Sequence, residues 1–123
     1  MFRSTKQLLG TATLCIAIFG AAPTLVSAAD GGASAIEEGK EIAFDRKLGN
    51  CLACHSMKDG ESPGNLAPPL LIMKDRFPDK AKLRAQIWDA TAANPLSMMP
   101  PFGKHEILSE EQIDKLTEYL YTL

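Results

Sequence analysis

The stretch Cys51-Leu52-Ala53-Cys54-His55 constrains this chain more than any other. It spells C-x-x-C-H, the attachment pattern of c-type haem. Two thiols spaced by two residues each form a thioether to a haem vinyl group, and the adjacent histidine is then held against one face of the iron as the proximal ligand. A C-x-x-C pair also serves as a redox dithiol or as half of a zinc site. Here the only other cysteine, Cys15, lies in an N-terminal apolar run, so no second C-x-x-C completes a zinc site. The expectation is one haem c, bound through Cys51 and Cys54, with His55 on the iron.

The N-terminus carries Arg3 and Lys6, then an apolar run from Leu8 to about Val26, then Val26-Ser27-Ala28-Ala29. A positive segment, an apolar segment and an A-x-A-like site make an export signal. Residues 1–28 are expected to be that signal, cleaved after Ala28 or Ala29. The alternative is a retained anchor, but Gly10, Gly20 and Pro23 interrupt a run already short for a full span. No membrane span is therefore expected in the mature protein. Lipidation at Cys15 is disfavoured by Leu14, which stands where such sites want a small residue.

Cleavage would leave roughly 95 of the 123 residues, enough for one domain with a small core. A covalent haem suits that size, because it supplies an apolar plate around which short helices pack. Loss of Arg3 and Lys6 from 13 basic residues leaves about 11 against 15 acidic ones, a net charge near −4 that argues against nucleic acid as a partner. Export together with C-x-x-C-H indicates an oxidising compartment outside the cytoplasm, the periplasm.

Along the mature chain, 29–34 reads as a flexible Gly-rich leader and 35–123 as the folded domain. Ser34 and Glu37 fit a capping box, with Ile36, Gly39, Ala43 and Phe44 as an inward stripe of a helix that ends near Gly49. From Lys58 to Leu70 the density of glycine and proline predicts a loop over the cofactor. A second helix is predicted from Asp79 to about Ala92, with Leu83, Ile87, Trp88 and Ala90 inward, stopped by Asn94-Pro95. Leu96–His105 is again a loop. In the last helix Ser109 and Gln112 form a capping box, and Ile113, Leu116, Leu120 and Leu123 recur at helical spacing. Nothing alternates as a strand does, so the fold class is all-α, short helices around a haem.

Opposite His55, a soluble electron carrier fills the second axial position, and the candidates are Met57, Met73, Met98, Met99 and His105. Met57 lies too near His55 to reach the other face, and Met73 has the common methionine role of filling core space. Met98 and Met99 sit in a loop stiffened by Pro100 and Pro101, which also bring no N–H donors to an apolar haem face. Met99, fixed directly by Pro100, is the first choice; Met98 and His105 remain open. On the proximal side His55 needs a partner for its other ring nitrogen. The backbone carbonyl of Pro68 is the leading acceptor, the alternative being a plain proline turn.

Further stretches carry a resemblance: Gly64-Asn65-Leu66-Ala67-Pro68-Pro69-Leu70, Arg84–Thr91 around Trp88, Asn94-Pro95, Met99-Pro100-Pro101-Phe102-Gly103-Lys104-His105, Ile107-Leu108-Ser109 and the ending Tyr119–Leu123. Together with Gly49–His55 they resemble the SoxX family, small monohaem cytochrome subunits of SoxAX sulfur-oxidising complexes. The resemblance implies a class I cytochrome c fold, ligation through His55 and Met99, and a heterodimer with a larger SoxA-like cytochrome. It also implies that the complex couples thiosulfate oxidatively to a cysteine of a SoxYZ-like carrier, as an L-cysteine S-thiosulfotransferase. Catalysis would belong to the SoxA subunit, and this chain would pass the electrons to a downstream cytochrome. Ala67, where the pattern more often has glycine, is the one departure.

Two other functions compete. The chain could be a free periplasmic monohaem cytochrome shuttling electrons in a respiratory chain. A haem enzyme or gas sensor would need an open iron position, which the Met99-Pro100-Pro101 loop argues against. No serine, cysteine or carboxylate constellation points to independent catalysis.

Overall fold

Two helices from opposite ends of the chain frame the molecule, in a computed structural model that describes residues 28–123. The expected export signal therefore lies outside the described residues, apart from Ala28. The first helix, α1, spans Ala28–Phe44 and the last, α5, spans Glu110–Leu120. The stretch 29–34, expected as a loose leader, is helical, and Ser34 does not cap. Its hydroxyl instead donates to Glu38 Oε1 at 2.9 Å, one turn on. The physical reason is composition: Ala28, Ala29, Ala33 and Ala35 carry the best intrinsic helix propensity and outweigh Gly31 and Gly32.

The two helices meet at Gly39. A Cβ there would lie 2.0 Å from the Lys115 carbonyl oxygen, so only glycine lets the backbones come this close. Ile42 and Ala43 of α1 are buried against Ile113, Leu116, Tyr119 and Leu120 of α5. Each large side chain fully buried this way contributes about 1.5–3 kcal/mol. The Phe44 and Tyr119 rings meet edge to face with centroids 6.3 Å apart, and Lys115 bonds Glu38 at 2.6 Å across the pair. At the start of α5 the predicted capping box is formed: Gln112 N donates to Ser109 Oγ at 3.2 Å, and Ser109 N donates to Gln112 Oε1 at 2.9 Å.

α1 ends at Phe44, short of the predicted Gly49, because Asp45 turns the chain. Its carboxylate accepts from Lys47 N at 2.7 Å and its carbonyl from Leu48 N and Asn50 N. Such Asx turns compete with helix continuation. Gly49 follows with its N–H on Ile42 O at 3.0 Å, and a Cβ on it would come within 2.7 Å of that oxygen.

Between the frame helices lie three short ones, α2 (Met73–Arg76), α3 (Lys80–Trp88) and α4 (Ala90–Ala93). The single helix predicted over Asp79–Ala92 is thus two. Leu83, Ile87 and Ala90 are buried as expected, but Asp89 leaves the helical conformation (φ −152°, ψ 90°) and caps α4, accepting from Thr91 N at 3.0 Å. α2 was not predicted; its Met73 N–H donates to Leu123 O at 2.9 Å, a tie to the far end of the chain. No strand occurs among the described residues, only an isolated parallel bridge between Met57 and Leu70. The architecture is all-α.

Candidate haem site

The turn after α1 delivers Cys51–Ala53 as one turn of 3₁₀ helix, entered through Asn50 in the left-handed region (φ 47°). Cys51 and Cys54 are both free thiols and partly exposed. Burial pushes the Cys51 thiol up to about 11, a neighbouring Cys54 charge adding to the rise. Among the described residues no three His, Cys, Asp or Glu side chains converge as a metal-ion group.

The segment 64–70 runs alongside the motif and is stitched to it. Gly64 N donates to Leu52 O (2.7 Å), Ala67 N to Cys54 O (3.0 Å) and Leu70 N to Ser56 O (2.8 Å). A Cβ on Gly64 would lie 2.0 Å from Ala53 O, so the approach requires glycine. This track sets the Pro68 carbonyl 2.7 Å from His55 Nδ1. A carbonyl only accepts, so Nδ1 carries the proton and Nε2 keeps its lone pair free. Arg76 fixes the next carbonyl, donating to Pro69 O at 2.6 Å.

Of the methionines, Met57 and Met73 are buried in the core cluster, at 6% and 1% exposure, while Met98 is 84% exposed. Met99 is half-buried and packs against that cluster, with its N–H on Ser97 Oγ at 3.2 Å. His105 is exposed. Past Met99, Phe102 is buried and its carbonyl accepts from Ile107 N and Leu108 N.

The loop is also tied to the helix break. The Trp88 carbonyl, which an unbroken helix would use internally, accepts from Gly103 N (3.1 Å) and Lys104 N (3.2 Å). Lys104 Nζ reaches Asp89 Oδ2 at 2.8 Å. With Lys104 and Thr91 donating to it, the Asp89 carboxyl falls to about 2. Gly103 lies flat on the indole, where a Cβ would come within 2.1 Å of the ring, and Arg84 covers the ring at 5.6 Å. Sequence reasoning missed this bracing. The one local signal was Asp89-x-Thr91, an N-cap in the middle of an otherwise continuous helical period.

The cytochrome c family model matches residues 36–123. The chain belongs to the cytochrome c family. No curated protein matches the sequence significantly. Among solved structures, a chain of the SoxXA crystal structure from P. pantotrophus is similar, with 32% identity and a TM-score of 0.63 over 70% of this chain and 79% of that one. This supports the resemblance to SoxX carried by the loop sequences, and a cytochrome c transfers electrons through covalently bound haem c.

The residues present fit that group. Two partly exposed thiols, an imidazole with one nitrogen already bonded, and a half-buried thioether in a braced loop are the donor types that a His/Met haem uses. Large apolar side chains beside both segments stand in solvent, Leu66 at 71%, Ile72 at 64% and Leu96 at 89% exposure. Near the motif, the Tyr119 hydroxyl is buried with no hydrogen-bond partner among the described residues.

Proposed function

We propose that this cytochrome is the monohaem electron-transfer subunit of a SoxAX-type heterodimer, exported to the periplasm by cleavage after Ala28 or Ala29. The observation that carries the reading is the 32% identity to a SoxXA chain, of which 79% is covered, on a matching fold. In this reading Cys51 and Cys54 hold one haem by thioethers, with His55 and Met99 on the iron. The bound haem supplies a one-electron redox site.

The chain's own residues do the rest. The Pro68 carbonyl orients the imidazole and raises its basicity by taking the Nδ1 proton in a hydrogen bond. Thioether ligation raises the potential above that of a bis-histidine site, which suits a subunit that receives electrons. If His55 and Met99 hold the iron, this chain would leave no site on it for substrate, and bond formation would fall to the partner. There, thiosulfate joins a cysteine thiolate of a SoxYZ-like carrier as an S–S bond, and two electrons leave. They pass one at a time through this subunit to a downstream cytochrome. The uncovered Leu66, Ile72, Leu96 and Met98 support a subunit whose apolar surface is covered on assembly.

The test is stopped-flow reduction of this haem by thiosulfate with a SoxA-like partner and SoxYZ-like carrier, each omitted in turn. Reduction in the full mixture alone is expected. Equal reduction by the isolated protein would move the chemistry onto this chain. No reduction in the full mixture would instead favour a free respiratory shuttle.

A further inference from the structure

We propose that the break between α3 and α4 is a clamp for the Met99 loop, with Trp88, Asp89, Gly103 and Lys104 as positioning residues that set how firmly Met99 is held as a ligand. The inference rests on the Met99 ligation proposed above and goes beyond it.

Three independent contacts converge within two residues on each side. The Trp88 carbonyl receives two loop N–H groups at 3.1 and 3.2 Å, although Asp89 could have continued the helix at the cost of those bonds. Asp89 uses one carboxylate oxygen to cap α4 through Thr91 and the other to hold Lys104 at 2.8 Å. Gly103 lies on the indole so closely that no side chain fits between them. The indole is itself held from its other surroundings by Arg84, whose guanidinium is bonded to Asp114 and Glu110 of α5. The Met99 loop is thereby referenced to the frame helix α5 through α3.

A thioether is a weak, neutral ligand, so its retention depends on how seldom the loop swings away. An added ligand competes only with the swung-out population, and its apparent affinity scales with that fraction. Imidazole binding to the ferric holoprotein, read by loss of the far-red sulfur-to-iron band, therefore measures the clamp. Lys104→Gln is expected to raise imidazole affinity about threefold, as for a partly exposed pair. Lys104→Arg should restore it to near the unmodified value. Gly103→Ala should raise it about tenfold or more, because the methyl must displace the loop from the indole.

A merely structural role would lower the helix-unfolding midpoint of the imidazole-saturated protein and leave imidazole affinity alone. The clamp predicts the reverse. Unchanged imidazole affinity in Lys104→Gln overturns the inference even if Gly103→Ala fails to fold. Absence of the far-red band from the unmodified protein would overturn the Met99 reading and the clamp with it, so the two failures are told apart.

Discussion

On the His55 side of the site the ties run between neighbouring stretches, 52 to 64, 54 to 67, 56 to 70 and 55 to 68, and nearly all are backbone bonds. On the Met99 side they reach back to a helix break and combine backbone, ring and charge. The difference matches the chemistry of the proposed donors. A histidine beside two thioether anchors needs only to be aimed, and a short local track does that. A methionine has no covalent leash and no charge, so the rest of the fold must hold it.

The comparison is broken most severely by removing the leash. Cys51→Ser with Cys54→Ser should abolish covalent haem and leave little cooperative helix, measured by haem staining after denaturing electrophoresis and by far-UV circular dichroism. A stable haem-free fold would show that the frame helices suffice without the plate. Next, Met99→Ala should remove the far-red band and lower the potential while the haem stays attached. Met98→Ala should leave both unchanged, since Met98 is 84% exposed. The reverse pattern would exchange the two assignments.

Gly64→Ala addresses the proximal track. A Cβ meeting Ala53 O at 2.0 Å must push the two segments of the track apart, at a cost of about 1–3 kcal/mol in denaturant unfolding. The far-red band should survive in the folded fraction, since the Met99 side is untouched.

The smallest effect is a pH dependence confined to the distal side. Asp89 lies at about 2, lowered from 3.8, chiefly by Lys104 and then Thr91. Its contribution is therefore present in full above about pH 4 and lost as pH falls through about 2. Acid titration of the far-red band should show earlier loss in Asp89→Asn, which keeps the α4 cap but not the charge. An identical acid midpoint in the two proteins would remove Asp89 from the distal bracing.

Much of this was legible because it is local. Ser109-x-x-Gln112 starts a helix by its own side chains, and the Leu/Ile spacing after it needs no partner to be recognised. The His55 acceptor could be narrowed to the proline run, because prolines remove donors and leave carbonyls. What stayed hidden is decided elsewhere in the chain. The period Leu83, Ile87, Ala90 runs unbroken through Asp89, and the break exists because the amides of Gly103 and Lys104 claim the Trp88 carbonyl. α2 follows Ile72 in a left-handed conformation (φ 47°) and is tied to Leu123, neither of which a local pattern announces. The early start of α1 is a different case, in which alanine content overrode a plausible cap.

The Gly39–Lys115 contact also says something about the order in which the molecule comes together. Glu38 and Lys115 are 77 residues apart in sequence, so docking the frame helices closes a loop that contains the entire haem site. Closing a flexible loop of that length costs about 4 kcal/mol in chain entropy before any packing is gained. A cofactor anchored at Cys51 and Cys54 and gripped by the 99–104 loop would bridge the interior of that loop and shorten the search. Attachment before the frame helices dock is therefore the order expected to lower that cost. In that order the seating of Gly39 against the α5 backbone would follow, and it would seal the site.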